Sequence, residues 1–101
     1  MVSIDKTVQN YERLVMGLGE EEDYLQDESL LALIARDAIQ DHWDELTGEQ
    51  RSRVQTVDAV LADKAALVAS TLPNPNFEDR SRWWWFLHEG PQVREEATEA
   101  A

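Results

Sequence analysis

Apolar residues in this chain recur at alternating steps of three and four, and no stretch alternates apolar with polar residues as a half-buried strand would. Ile4, Val8, Tyr11, Val15 and Leu18 lie 4, 3, 4 and 3 positions apart, which is one face of a helix from about Ser3 or Asp5 to Leu18. Gly17 and Gly19 follow as candidate C-terminal stops. A third segment carries Val54, Val57, Leu61, Ala65 (or Lys64 beside it), Val68 and Leu72, close to a heptad, and is expected to run to about Thr71. Thr47 with Gln50 three residues later forms a capping-box pattern at its start.

Between these two lies a segment that is apolar over more than one face. From Glu28 to about Leu46, the residues Leu31, Ala35, Ala38 or Ile39, His42, Trp43 and Leu46 are read as lining one side. Leu30, Leu33 and Ile34 widen that stripe, and Arg36, Asp37, Asp41, Asp44 and Glu45 take the rest. Such a width suits the central helix of a bundle. Upstream, Glu20–Asp23 suits the first turn of a helix, where carboxylates oppose the macrodipole favourably. A break near Gln26–Glu28 is an alternative, so one helix or two are both compatible with residues 20–46.

Pro73-Asn74-Pro75-Asn76 stops the third helix, because proline cannot continue a helix and restricts the residue before it. A short helix is then expected from about Asp79 to His88, capped by Asn76 or Asp79 and stopped by Gly90-Pro91. The reading is therefore all-α: a small antiparallel bundle of three to four helices with a short C-terminal Trp-rich helix. Residues 1–89 are expected to form one domain, and 90–101 an acidic, flexible tail.

Charge narrows the function. The chain has 21 acids against nine bases, a net charge of −12, and residues 1–46 hold twelve of the acids and three of the bases. Such a surface repels phosphate backbones and anionic membranes, so its preferred partners are cationic. Cysteine is absent, which excludes disulfides and thiol chemistry. The longest apolar run, Leu30–Ala35, is six residues, far short of the roughly 20 that cross a bilayer. With no secretory signal visible, a cytoplasmic location is the default expectation.

No catalytic set is legible. There is no phosphate loop and no nucleophile–base pairing that spacing can point to. His42 stands among Asp37, Asp41 and Glu45, but a di-iron helix motif needs Glu-x-x-His twice, and here the order is reversed and occurs once. The expectation is no enzyme, no metal and no cofactor, with a mononuclear site built from His42, His88 and a carboxylate as the alternative.

Two segments stand out as partner-binding surfaces. The first is the acidic cluster Glu20, Glu21, Glu22, Asp23, Asp27 and Glu28, six acids among nine residues. The second is Arg80, Arg82, Trp83, Trp84, Trp85 and Phe86. Adjacent α-helical residues point about 100° apart, so three consecutive tryptophans sweep most of a circumference and at least one must sit at the rim or surface. Tryptophan and arginine are the types most enriched among binding hot spots.

The run His42-Trp43-Asp44-Glu45-Leu46-Thr47-Gly48-Glu49-Gln50-Arg51, followed by Arg80-Ser81-Arg82-Trp83-Trp84-Trp85, resembles small uncharacterised bacterial helical proteins. These are similar in turn to accessory or antitoxin-like partners of small toxins. The resemblance covers roughly the second half of the chain and implies neutralisation by protein contact, since neither end carries the basic DNA-binding segment of many antitoxins. Together these features point to a non-enzymatic binding module for a basic protein. A homodimeric accessory protein and a nucleic-acid mimic are the alternatives.

Overall fold

Val8, Tyr11 and Val15 are buried along one side of α1 (Ile4–Gly17), with Leu18 buried just beyond its end. The structure, a computed structural model, describes residues 4–18, 25–70 and 81–100, and the side chains of all of these except 25–27 and 98–100. The remaining elements are α2 (Leu25–Asp41), a 3-10 turn Trp43–Glu45, α3 (Gly48–Asp63), α4 (Ala65–Ala69), a 3-10 helix Trp83–Glu89 and α5 (Val93–Ala100). The described residues contain no strand, and the fold is a small all-α bundle.

Side-chain bonds fix the directions of the first three helices. Gln50 donates to Asp5, Tyr11 donates to Asp58, and Lys64 donates to the Val15 carbonyl, so α1 and α3 run parallel. Arg51 donates to the Trp43 carbonyl while Arg36 pairs with Asp58, so the chain through α2 runs antiparallel to α3.

The capping box forms at the start of α3. The Gln50 amide donates to Thr47 Oγ1 at 3.1 Å, and the Thr47 amide donates to Gln50 Oε1 at 2.8 Å. Val54, Val57, Leu61, Ala65 and Val68 are all buried, as their spacing requires. The expected single helix is nevertheless broken at Lys64, which adopts φ −94° and ψ 16°. Its Nζ donates to the carbonyls of Val15 (2.8 Å) and Leu18 (2.9 Å) at the C-terminal end of α1. Those are acceptors that a helix end leaves unpaired, and a cation there also opposes the negative end of the macrodipole. Gly17 stays out of the left-handed conformation, so a lysine from another element does the capping work expected of a glycine. Gly19 lies outside the described residues.

Three further expectations change. α2 runs without a break through Gln26–Glu28 and ends at Asp41, not near Leu46. The tryptophan segment is a 3-10 helix, kinked at Phe86 (φ −117°, ψ 23°), not an α-helix. Residues expected to fray as a tail instead form α5, with Val93 buried and Ala97 packed on the core. Gly90 separates these two elements at φ +113°, a conformation that favours glycine. The Pro73–Asn76 stop and the caps expected at Asn76 or Asp79 lie outside the described residues.

Candidate interaction surface

The site begins with a charge that the sequence places on the outside and the fold places inside. Arg36 and Asp58 are each 4% exposed. Arg36 Nε donates to Asp58 Oδ1 at 2.9 Å and Nη2 to Oδ2 at 3.2 Å, a bidentate pair. Nη1 donates to Gln40 Oε1 at 3.2 Å, and the Tyr11 hydroxyl donates to Asp58 Oδ1 at 2.5 Å. The guanidinium also lies against two indoles, 4.3 Å from the Trp84 centroid and 5.4 Å from that of Trp43. Burial, with the Asp58 charge and hydrogen bond adding to it, raises the Tyr11 pKa well above its ordinary value.

That network sets the rotation of α2. With Arg36 turned inward, the buried set becomes Ser29, Ala32, Leu33, Arg36 and Ile39. The stripe expected through Leu31 is out of phase by about a third of a turn, with Ile39 common to both. Leu30, Leu31 and Ile34 consequently face solvent, 42%, 53% and 49% exposed. They stand at i, i+1 and i+4, a single patch on the outer side of one helix.

A second carboxylate ties the tryptophan segment to α2. Asp37 Oδ1 accepts from Trp84 Nε1 and Trp85 Nε1, both at 2.9 Å, and from Arg82 Nη1 at 3.0 Å. Arg82 Nη2 reaches Asp41 Oδ1 at 2.5 Å, and that hydrogen bond is the main cause raising the Arg82 pKa. Trp83, Trp84, Phe86 and Leu87 are buried, Trp85 is half-buried against the core, and His88 is exposed. Trp83 and Trp84 meet edge-to-face at 5.6 Å.

The expected partner-binding residues therefore separate. Trp83, Trp84 and Phe86 belong to the core, Trp85 is half-buried at the rim, and Arg82 is held by two carboxylates. Glu28 is half-buried, and one of its carboxylate oxygens is enclosed without a hydrogen-bond partner. Glu20, Glu21, Glu22, Asp23 and Arg80, with the side chain of Asp27, lie outside the described residues. The large apolar side chains exposed among the described residues are Met16 and, together on α2, Leu30, Leu31 and Ile34, which the sequence pattern places in the core.

His42 is exposed and pairs with Glu45, while His88 Nε2 lies 3.8 Å from Glu89. Among the described residues, no three His, Cys, Asp or Glu side chains come together as a metal site. No helix among them is long and apolar enough to cross a membrane. A shallow cleft of about 310 Å³ between α3 and α5, lined by Ala59, Ala62, Asp63, Pro91, Gln92, Arg94 and Glu95, brings together no nucleophile–base pair. Comparison of the chain with models of known protein families, with curated proteins and with solved structures finds no match in any of the three.

Proposed function

We propose that this chain is a non-enzymatic protein-binding module that docks a basic partner on the outer face of α2. The observation that carries the reading is the solvent exposure of Leu30, Leu31 and Ile34 on a helix whose other charged residues are acidic apart from the buried Arg36. Contiguous apolar side chains rimmed by polar ones are what partner surfaces are built from. The acid-rich stretch Glu20–Glu28 supplies long-range attraction for a cationic protein. The tryptophan segment, expected to anchor the partner directly, serves this reading as the wedge that holds α2 in place. An antitoxin-like role, masking the cationic site of a small toxin by protein contact, is the biological form we favour.

Affinity capture from the native host tests the proposal, with the wild type and the variant Leu30→Ser/Leu31→Ser/Ile34→Ser as paired baits. A basic protein recovered in stoichiometric amount by the wild type, and rebound when both proteins are purified, is the expected result. Failure to recover any such partner at low or moderate salt overturns it.

A further inference from the structure

The exposed face of α2 has a shape and a charge that together select an occupant, and we infer that the occupant is a cationic amphipathic helix laid along α2. This rests on the binding reading above and names the partner's chemistry.

Shape comes first. Leu30, Leu31 and Ile34 form a ridge along a helix of 17 residues, and ridges of that kind are met by the grooves of another helix. Strand addition requires an open sheet edge, and the described residues contain no strand. Asp37 and Asp41 stand three and seven positions after Ile34 on the same side of the helix; Asp37 is taken up by Trp84, Trp85 and Arg82, which leaves Asp41, 58% exposed beside Arg82, as the carboxylate open to an occupant.

Charge then decides between a foreign helix and a second copy. Residues 25–45 contain six carboxylates and one cation. The cation is Arg36, which is buried and matched by Asp58. Arg82 is shared between Asp37 and Asp41, so one positive charge faces two negative ones. Packing α2 against its twin would bring two such sets of carboxylates together in a chain already at −12. Nor do three half-exposed side chains approach the roughly 800 Å² that a standard interface buries on each partner. The apolar ridge therefore needs ionic flanks to hold an occupant, and these must be lysines or arginines beside an apolar stripe.

The test uses the full chain and two synthetic peptides of about 20 residues, long enough to span α2 at 1.5 Å per residue. One is built from leucine and lysine with an amphipathic stripe; the other has the same composition with the stripe permuted away. Anisotropy of a label on the peptide reads binding. The wild type should bind the striped peptide about tenfold or more tighter than the permuted one, a difference that Leu30→Ser/Leu31→Ser/Ile34→Ser removes. Affinity should also fall between about 50 and about 300 mM salt. If the triple variant melts early, the single Leu31→Lys, at the most exposed position of the three, gives the same reading. Equal affinity for the two peptides, or a stripe preference untouched by these substitutions, overturns the inference. So does self-association of the wild type in sedimentation that Leu31→Lys abolishes, which would make a second copy the occupant.

The two readings fail separately. A natural partner retained equally by the wild type and the triple variant overturns the face and its occupant while protein binding stands. No partner from the native host, with the stripe preference intact, overturns the binding function while the chemistry of the face stands.

Discussion

The guanidinium of Arg36 lies 4.3 Å over the ring of Trp84, 48 residues further along the chain. One side chain thus joins the middle of α2 to the 3-10 segment, while its hydrogen bonds join α2 to α3 through Asp58. Tyr11 extends the same carboxylate to α1. Four elements meet at one ion pair, and the orientation of α2 follows from it.

Removing one member should be far costlier than removing both. Asp58→Ala leaves Arg36 charged and enclosed, and we expect a loss of about 3–5 kcal/mol in urea unfolding at neutral pH. Arg36→Met with Asp58→Leu should lose much less. A double variant as unstable as the single one would mean that the ion pair itself, not the avoidance of a lone buried charge, holds the bundle together.

Tyr11→Phe removes a hydrogen bond to a carboxylate and should cost about 1.5–3 kcal/mol at neutral pH. Because folding raises the Tyr11 pKa, the unfolded chain loses its phenol proton first, near pH 10. The tyrosine's contribution is complete below that pH and is lost as pH climbs from there toward the folded value. The stability gap between wild type and Tyr11→Phe should accordingly narrow above about pH 10, by up to about 1.4 kcal/mol per pH unit. A gap that stays constant in alkaline urea titrations contradicts this.

Asp37 accepts from two indoles and an arginine through one oxygen. Asp37→Ala should cost about 2–3 kcal/mol, since two indole donors lose their acceptor. Arg82→Ala, which removes a partly exposed ion pair and leaves both indole bonds intact, should cost about 1 kcal/mol or less. Thermal melts of the two variants side by side check the order.

Ser29 is fully buried in α2 and its hydroxyl has no hydrogen-bond partner. Ser29→Ala removes an unsatisfied polar atom and substitutes the best helix former, so it should stabilise by about 1 kcal/mol. A loss of stability would show that the hydroxyl does have a partner.

The parts of this fold that could be read from sequence are those whose signal is local. The stripes Val8–Tyr11–Val15 and Val54–Val57–Leu61, and the Thr47–Gln50 box, depend on residues within a few turns of one another. The rotation of α2 does not. Six consecutive apolar residues, Leu30–Ala35, fit a helix in several phases, and the phase is chosen by Arg36 finding Asp58 across 22 residues. A charged residue on that helix reads as solvent-facing because its partner is invisible locally, and Leu30, Leu31 and Ile34 then read as inward-facing. Three adjacent tryptophans put at least one at the rim, and that one is Trp85; which of the three it would be is not legible locally, because the Asp37 that holds the Trp84 and Trp85 indoles lies 47 and 48 residues away. The one available hint was that a six-residue apolar run exceeds what one buried face can absorb.

The placement of Trp83, Trp84, Phe86, Leu87 and Val93 in the core has a consequence for how the chain is made. Translation delivers α1 to α4 first, and the five side chains that close the bundle, Trp84 over Arg36 among them, arrive only afterwards. Until they do, the Arg36–Asp58 pair is open to water on its Trp84 side, and the helices already made lack part of their hydrophobic lid. Closure of the bundle thus waits on the tryptophan segment and Val93, and a nascent chain halted before Trp83 leaves exposed the apolar surface that those side chains cover.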